Sequence, residues 1–132
     1  MRKKIVFLLA FLCMLLLVGC SNGKETSKYN IEYLNKDKTG IVAVPYDASA
    51  TTKDALIEEF FAALSSDPDN VEYRKPIPND VEITKYSLDG ALLTIYFDAD
   101  YLNMKEVEEV LCRAAVVRTM TQISGIDCVS FY

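Results

Sequence analysis

The spacing of apolar residues along this chain changes several times, and each change predicts an element. Ile5 to Val18 is an unbroken apolar run. Further on, Tyr29-Asn30-Ile31-Glu32-Tyr33-Leu34 alternates apolar with polar, Asn35-Lys36-Asp37-Lys38-Thr39-Gly40 interrupts, and Ile41-Val42-Ala43-Val44-Pro45-Tyr46 resumes. This predicts two strands around a turn. Pro45 has no N–H, so the second strand belongs at a sheet edge or ends there. Leu56, Ile57, Phe60, Phe61 and Leu64 then recur at helical spacing, with Asp54, Glu58 and Glu59 on the opposite face. Thr51 and Asp54 form an N-cap arrangement for that helix, and its early acids suit the positive end of the helix dipole.

Ser65 to Asp80 reads as loop, with Asp67-Pro68-Asp69-Asn70 as a stop and Pro76-Ile77-Pro78-Asn79-Asp80 as a stiff lead into the next strand. Val81–Leu88 and Ala91–Phe97 flank Asp89-Gly90, which predicts a hairpin with a type I′ turn because Asp-Gly tolerates positive φ. Leu93, Ile95 and Phe97 share one face of the second arm, assigned to the core. Asn103 and Glu106 form a second capping-box-like start. Val107, Val110, Leu111, Ala114, Val117, Met120 and Thr121 follow at helical spacing and are expected to face the core. Gly125 suits the helix end and Ile126–Phe131 a last strand. The predicted order is β-β-α-β-β-α-β, an α+β domain with two helices on one face of a mostly antiparallel sheet. Residues 28–132, about 105 in number, suffice for one such domain and not for two.

The N-terminal run is preceded by Arg2, Lys3 and Lys4 and ends at Gly19-Cys20, the layout of a secretory signal. Its fourteen apolar residues would make a helix of roughly 21 Å, short of the roughly 30 Å hydrocarbon core. Leu17-Val18-Gly19-Cys20 resembles the lipobox of bacterial lipoproteins. A thiol can carry a diacylglyceryl thioether, and the small Gly19 admits a peptidase to the bond before it. Residues 1–19 are therefore expected to be a cleaved signal, and 20–27 the lipidated Cys20 with a flexible seven-residue tether reaching roughly 15 Å. Two acyl chains anchor stably, at about 0.8 kcal/mol per buried CH₂. The expected location is the extracytoplasmic face of the cell membrane.

Charge and cysteine usage narrow the partners. Losing residues 1–19 removes three basic residues and no acid, leaving 11 Lys and Arg against 19 Asp and Glu. Such a surface repels phosphate, so nucleic acid is not an expected partner. Cys13 leaves with the signal and Cys20 takes the lipid, leaving Cys112 and Cys128; buried free thiols are the expectation, and a disulfide between them is the alternative. The chain has no His, which removes the commonest general base and metal ligand.

Several segments resemble one known domain. Pro78-Asn79-Asp80-Val81-Glu82-Ile83, the turn Asp89-Gly90, Leu93-Thr94-Ile95-Tyr96-Phe97-Asp98 and Asp100-Tyr101-Leu102 are similar to the central part of the GerMN domain of sporulation and spore germination. Thr119-Met120-Thr121-Gln122-Ile123-Ser124-Gly125-Ile126-Asp127-Cys128-Val129 is similar to its helix-to-strand closure. The resemblance runs from about Ile31 to Tyr132. It implies a domain of the ring-building type and an extracytoplasmic scaffold in an envelope assembly, and it carries over no catalytic or ligand residue. Relatives commonly continue the last strand into a glycine-containing turn, so the resemblance leaves a strand ending at Phe131-Tyr132 incompletely paired or the chain truncated.

Asp98 and Asp100, with Asp47 or Asp127, offer hard oxygen ligands of the kind calcium takes, but the acid and glycine spacing of a calcium loop is absent, and the expectation is no metal and no cofactor. No nucleophile elbow or phosphate-cradling loop is present, so no enzyme is expected. Tyr33, Tyr46, Tyr86 and Tyr96 fall on predicted strands and are candidate interface residues, against cross-strand pairing as the plainer role. The strand edges near Pro45 and at the C-terminus offer a second route to association. Two functions follow as expectations: a non-catalytic scaffold that meets envelope proteins or itself, and a lipoprotein that binds a small molecule or wall fragment. The first requires an exposed apolar patch, the second an enclosed apolar pocket.

Overall fold

The computed structural model describes residues 27–132. The predicted signal, the Gly19-Cys20 cleavage site, the lipidated Cys20 and the tether through residue 26 lie outside the described residues. The elements are β1 (Tyr29–Asn35), β2 (Ile41–Tyr46), α1 (Lys53–Leu64), β3 (Tyr73–Arg74), β4 (Ile83–Asp89), β5 (Leu92–Phe97), a 3₁₀ turn (Ala99–Asn103), α2 (Glu106–Met120) and β6 (Cys128–Phe131). This is a small α+β domain with two helices, as the spacing predicts. The strands, however, divide between two three-stranded sheets, β2-β1-β3 and β4-β5-β6, where the sequence suggested one. The added strand, β3, lies inside the stretch expected to be loop. It is only two residues long, paired with Leu34 and Asn35, and so leaves no alternation to read.

Helix α1 forms as predicted. Leu56, Ile57, Phe60, Phe61 and Leu64 are buried, and Tyr29 and Tyr46 pack edge-on against Phe60 at 5.2 and 5.9 Å. Its N-cap is Thr52 rather than Thr51, the hydroxyl accepting from the Ala55 N–H at 3.4 Å. Four donors fix the approach to the helix on one carboxylate. The Tyr46 hydroxyl (3.0 Å), the Ser49 N–H (2.9 Å) and hydroxyl (3.0 Å), and the Ala50 N–H (2.7 Å) all donate to Glu59.

In the second sheet the hairpin is present but shifted by one residue. Asp89 pairs with Leu92, so the central turn residues are Gly90 and Ala91. Only Gly90 has positive φ (57°), which makes the turn type II′ rather than I′. Leu93 and Ile95 are buried, and Phe97 stacks on Tyr101 at 4.5 Å. β6 pairs in parallel with β5 from Leu92↔Cys128 to Ile95↔Phe131, and Tyr132 extends the ladder. Its N–H donates to the Ile95 carbonyl (2.9 Å) and its carbonyl accepts from the Phe97 N–H (2.8 Å). The last strand is thus fully paired along its inner edge.

Helix α2 overturns most of the expected orientation: of the residues expected to face the core, Met120 alone is buried. Its buried residues are Cys112, Ala115, Val116, Thr119 and Met120. Val107 and Val110, expected in the core, are 63% and 65% exposed, and Leu111, Ala114 and Val117 are half-buried. Nor is there a capping box: Asn103 ends the 3₁₀ turn, and the N-cap is Lys105, with no side-chain hydrogen bond.

Candidate interaction surfaces

The closing segment of α2 protects an edge that the strand order leaves open. β3 pairs with β1 only at Leu34 and Asn35, so the earlier residues of β1 lack a strand on that side. Gln122 takes its place. Its Oε1 accepts the Asn30 N–H and its Nε2 donates to the Asn30 carbonyl, each at 2.8 Å, as a peptide group would. The buried Thr119 hydroxyl accepts the Glu32 N–H at 3.1 Å. Buried backbone donors need such partners. The sequence shows Thr119 and Gln122 only as members of the run that resembles the family's helix-to-strand closure; their contacts span 87 and 92 residues, beyond any local pattern. Glu32 itself is 4% exposed and meets Arg118 at 3.3 Å.

The four candidate tyrosines do not form one surface. Tyr33 is buried in the core on β1, and burial raises its hydroxyl pKa, with a smaller contribution from Asp69. Tyr46 leans on Phe60 and donates to Glu59, and burial together with that carboxylate pushes its pKa up to about 12. Tyr86 meets Phe61 of α1 edge-on at 5.6 Å. Tyr96 stacks with Tyr132 at 5.5 Å beneath the Lys85 ammonium, which lies 4.3 Å from its ring centre. Most of this aromatic area is thus spent inside the domain.

Two open surfaces stand out instead. One is the outer face of α2. Val107, Val110, Leu111, Ala114 and Val117 recur at helical spacing on the side away from Cys112, Val116 and Met120, and Leu102, in the preceding turn, is 84% exposed. The helix thus has an apolar face in the core and a second one outside it, whereas a helix at the surface ordinarily has one. The other is a groove of about 720 Å³ between α1 and β4, lined by Phe61, Val81, Ile83 and Tyr86 with Glu58 and Glu82 at its rim. β4 is an edge strand, and Thr84 bulges from its ladder between Ile83 and Lys85.

The thiols and the candidate calcium carboxylates form no common site. Cys112 is buried, and burial pushes its pKa up to about 12; Cys128 is exposed, against expectation, and both are free. Asp98 opens the 3₁₀ turn and Asp100 accepts from Asn103 at 3.2 Å. Among the described residues no three His, Cys, Asp or Glu side chains converge as metal ligands. Arg113 donates to the Tyr101 hydroxyl (2.7 Å) and pairs with Glu109 (2.9 Å), tying the 3₁₀ turn to α2. No helix among the described residues is long and apolar enough to cross a membrane.

Two helices and a pair of three-stranded sheets make this a small α+β module of the GerMN type. A solved structure with this fold, the tandem GerMN domains of the sporulation protein GerM from Bacillus subtilis, is similar at a TM-score of 0.61 and 16% identity. The similarity covers 78% of this chain and 38% of that one, so this chain spans well under half the length of that relative. Residues 31–132 match the Germane family, described as sporulation and spore germination, and the chain belongs to that family. No curated protein sequence matches it.

Proposed function

We propose that this protein is a lipoprotein anchored through Cys20 to the outer face of the cell membrane, and that its domain is a non-catalytic assembly module in a sporulation or germination envelope complex. The observation that carries the assembly role is the second apolar face of α2, with Val107 and Val110 each more than half exposed. Exposed apolar rows of this kind mark contact surfaces in proteins that must otherwise stay soluble. Membership of the sporulation and germination family supports the process. The lipobox-like Leu17-Val18-Gly19-Cys20 supports the anchor, and a tether of seven residues would hold the domain close above the bilayer.

The test is a crosslinking pull-down of the anchored protein from growing and from sporulating cells, beside the double variant Val107→Glu, Val110→Glu. The assembly reading expects an envelope protein, or the chain itself, to be recovered from sporulating cells and lost with the variant. Equal recovery by both, or none by either, would overturn it.

A further inference from the structure

We propose that the groove between α1 and the free edge of β4 binds an extended segment of a partner protein, one carrying Lys or Arg side chains. The site deepens the assembly reading and takes its purpose from it, while its geometry stands apart from α2.

An edge strand turns the N–H and C=O of alternate residues away from its ladder, ready to pair with another chain. β4 is such an edge, and the groove runs beside its beginning. The Tyr86 ring, reaching across to Phe61, joins the strand to α1 and floors the groove. Seven strand residues extend about 20 Å, room for a peptide strand with side chains falling alternately into the hollow. Backbone pairing beside a helix, with pockets for alternate side chains, is a recurrent way of holding an extended peptide. Bulges, such as the one at Thr84, concentrate at sheet edges and next to binding sites.

Charge selects the occupant. Asp54, Glu58 and Glu82 are exposed along this side, and none is in an ion pair among the described residues. The one lysine lining the groove, Lys85, has its ammonium over the Tyr96 ring. Tyr86 registers the field: its pKa is raised by burial first and then by the carboxylates of Glu58 and Asp54. A second copy of this net-acidic chain would add further negative charge beside these acids, like charge on like. A basic segment meets the opposite condition.

The full chain, purified in detergent, would be panned against a phage-displayed library of random nonapeptides. The site predicts enriched sequences in which Lys or Arg alternates with apolar or β-branched residues. The double variant Glu58→Lys, Glu82→Lys should bind them at least about tenfold more weakly, and the control Glu106→Lys as well as the parent. Methylating alternate backbone nitrogens of an enriched peptide should abolish binding, since strand addition needs those N–H groups. No enrichment, equal binding by the charge-reversed variant, or indifference to N-methylation would each overturn the proposal. A blank pull-down from cells with peptide binding intact would instead count only against the assembly reading.

Discussion

Glu59 carries more of the local architecture than any other charged residue in the domain. Four donors from Tyr46, Ser49 and Ala50 converge on its carboxylate, and the N–H groups of Ser49 and Ala50 together with the two hydroxyls hold its pKa below the ordinary value against the opposing effect of burial. Because the folded pKa is lowered, its contribution to stability is complete above the unfolded carboxylate range and fades as pH falls through the folded value. Glu59→Gln should lower stability by about 1–2 kcal/mol near neutral pH, measured by urea unfolding, and the deficit should shrink under acid. The sequence placed Glu59 correctly on the polar face of α1 but gave it no role, because three of its four donors come from the connection that folds back over the helix. The two domain thiols make a second residue-scale case. Alkylation of the native protein should reach Cys128 quickly and Cys112 only on unfolding, since burial keeps the latter protonated and shielded. Equal rates at the two sites would contradict the packing.

The two helices show how far periodicity can be trusted for an element. In α1 the apolar residues occupy one face and the acids the other, so a single orientation satisfies the pattern. In α2 apolar residues lie on both sides, and the spacing fits the row from Val107 to Val117 as well as the row from Cys112 to Met120. The core took the second row because it continues into Ile123 and Ile126, both buried beside the sheets. Met120→Ala should therefore cost about 2–5 kcal/mol. The pair Val107→Glu, Val110→Glu should change thermal stability little, by about 0.5 kcal/mol or less per site. A large loss from the valine pair would place the core where the periodicity first suggested. At the end of the same helix, Gln122→Ala should cost about 1–2 kcal/mol by leaving the Asn30 N–H and carbonyl without their partner. Faster amide exchange at Asn30 would show that edge opening.

For the molecule as a whole, the proposed placement rests on Cys20, and the shape rests on long-range pairing. Cys20→Ser should abolish labelling by radioactive palmitate, and continued labelling would sink the anchor. The sequence by itself determined what local chemistry can determine: the strands on either side of each main turn, the face of α1 and the α+β class. The family was legible for the same reason, since its turns and closing run are local strings. Only the tertiary structure decided which face of α2 lies inside, that the strands divide into two sheets, that β6 runs parallel to β5, and that Thr119 and Gln122 close the edge of β1. Each of these depends on groups far apart in the chain, and a period of 3.6 or 2 is satisfied equally by the alternative. The anchoring expectation at Cys20 therefore stands on sequence chemistry alone. The open faces on α2 and β4, where the functional proposals lie, could be found only once the core had chosen its side.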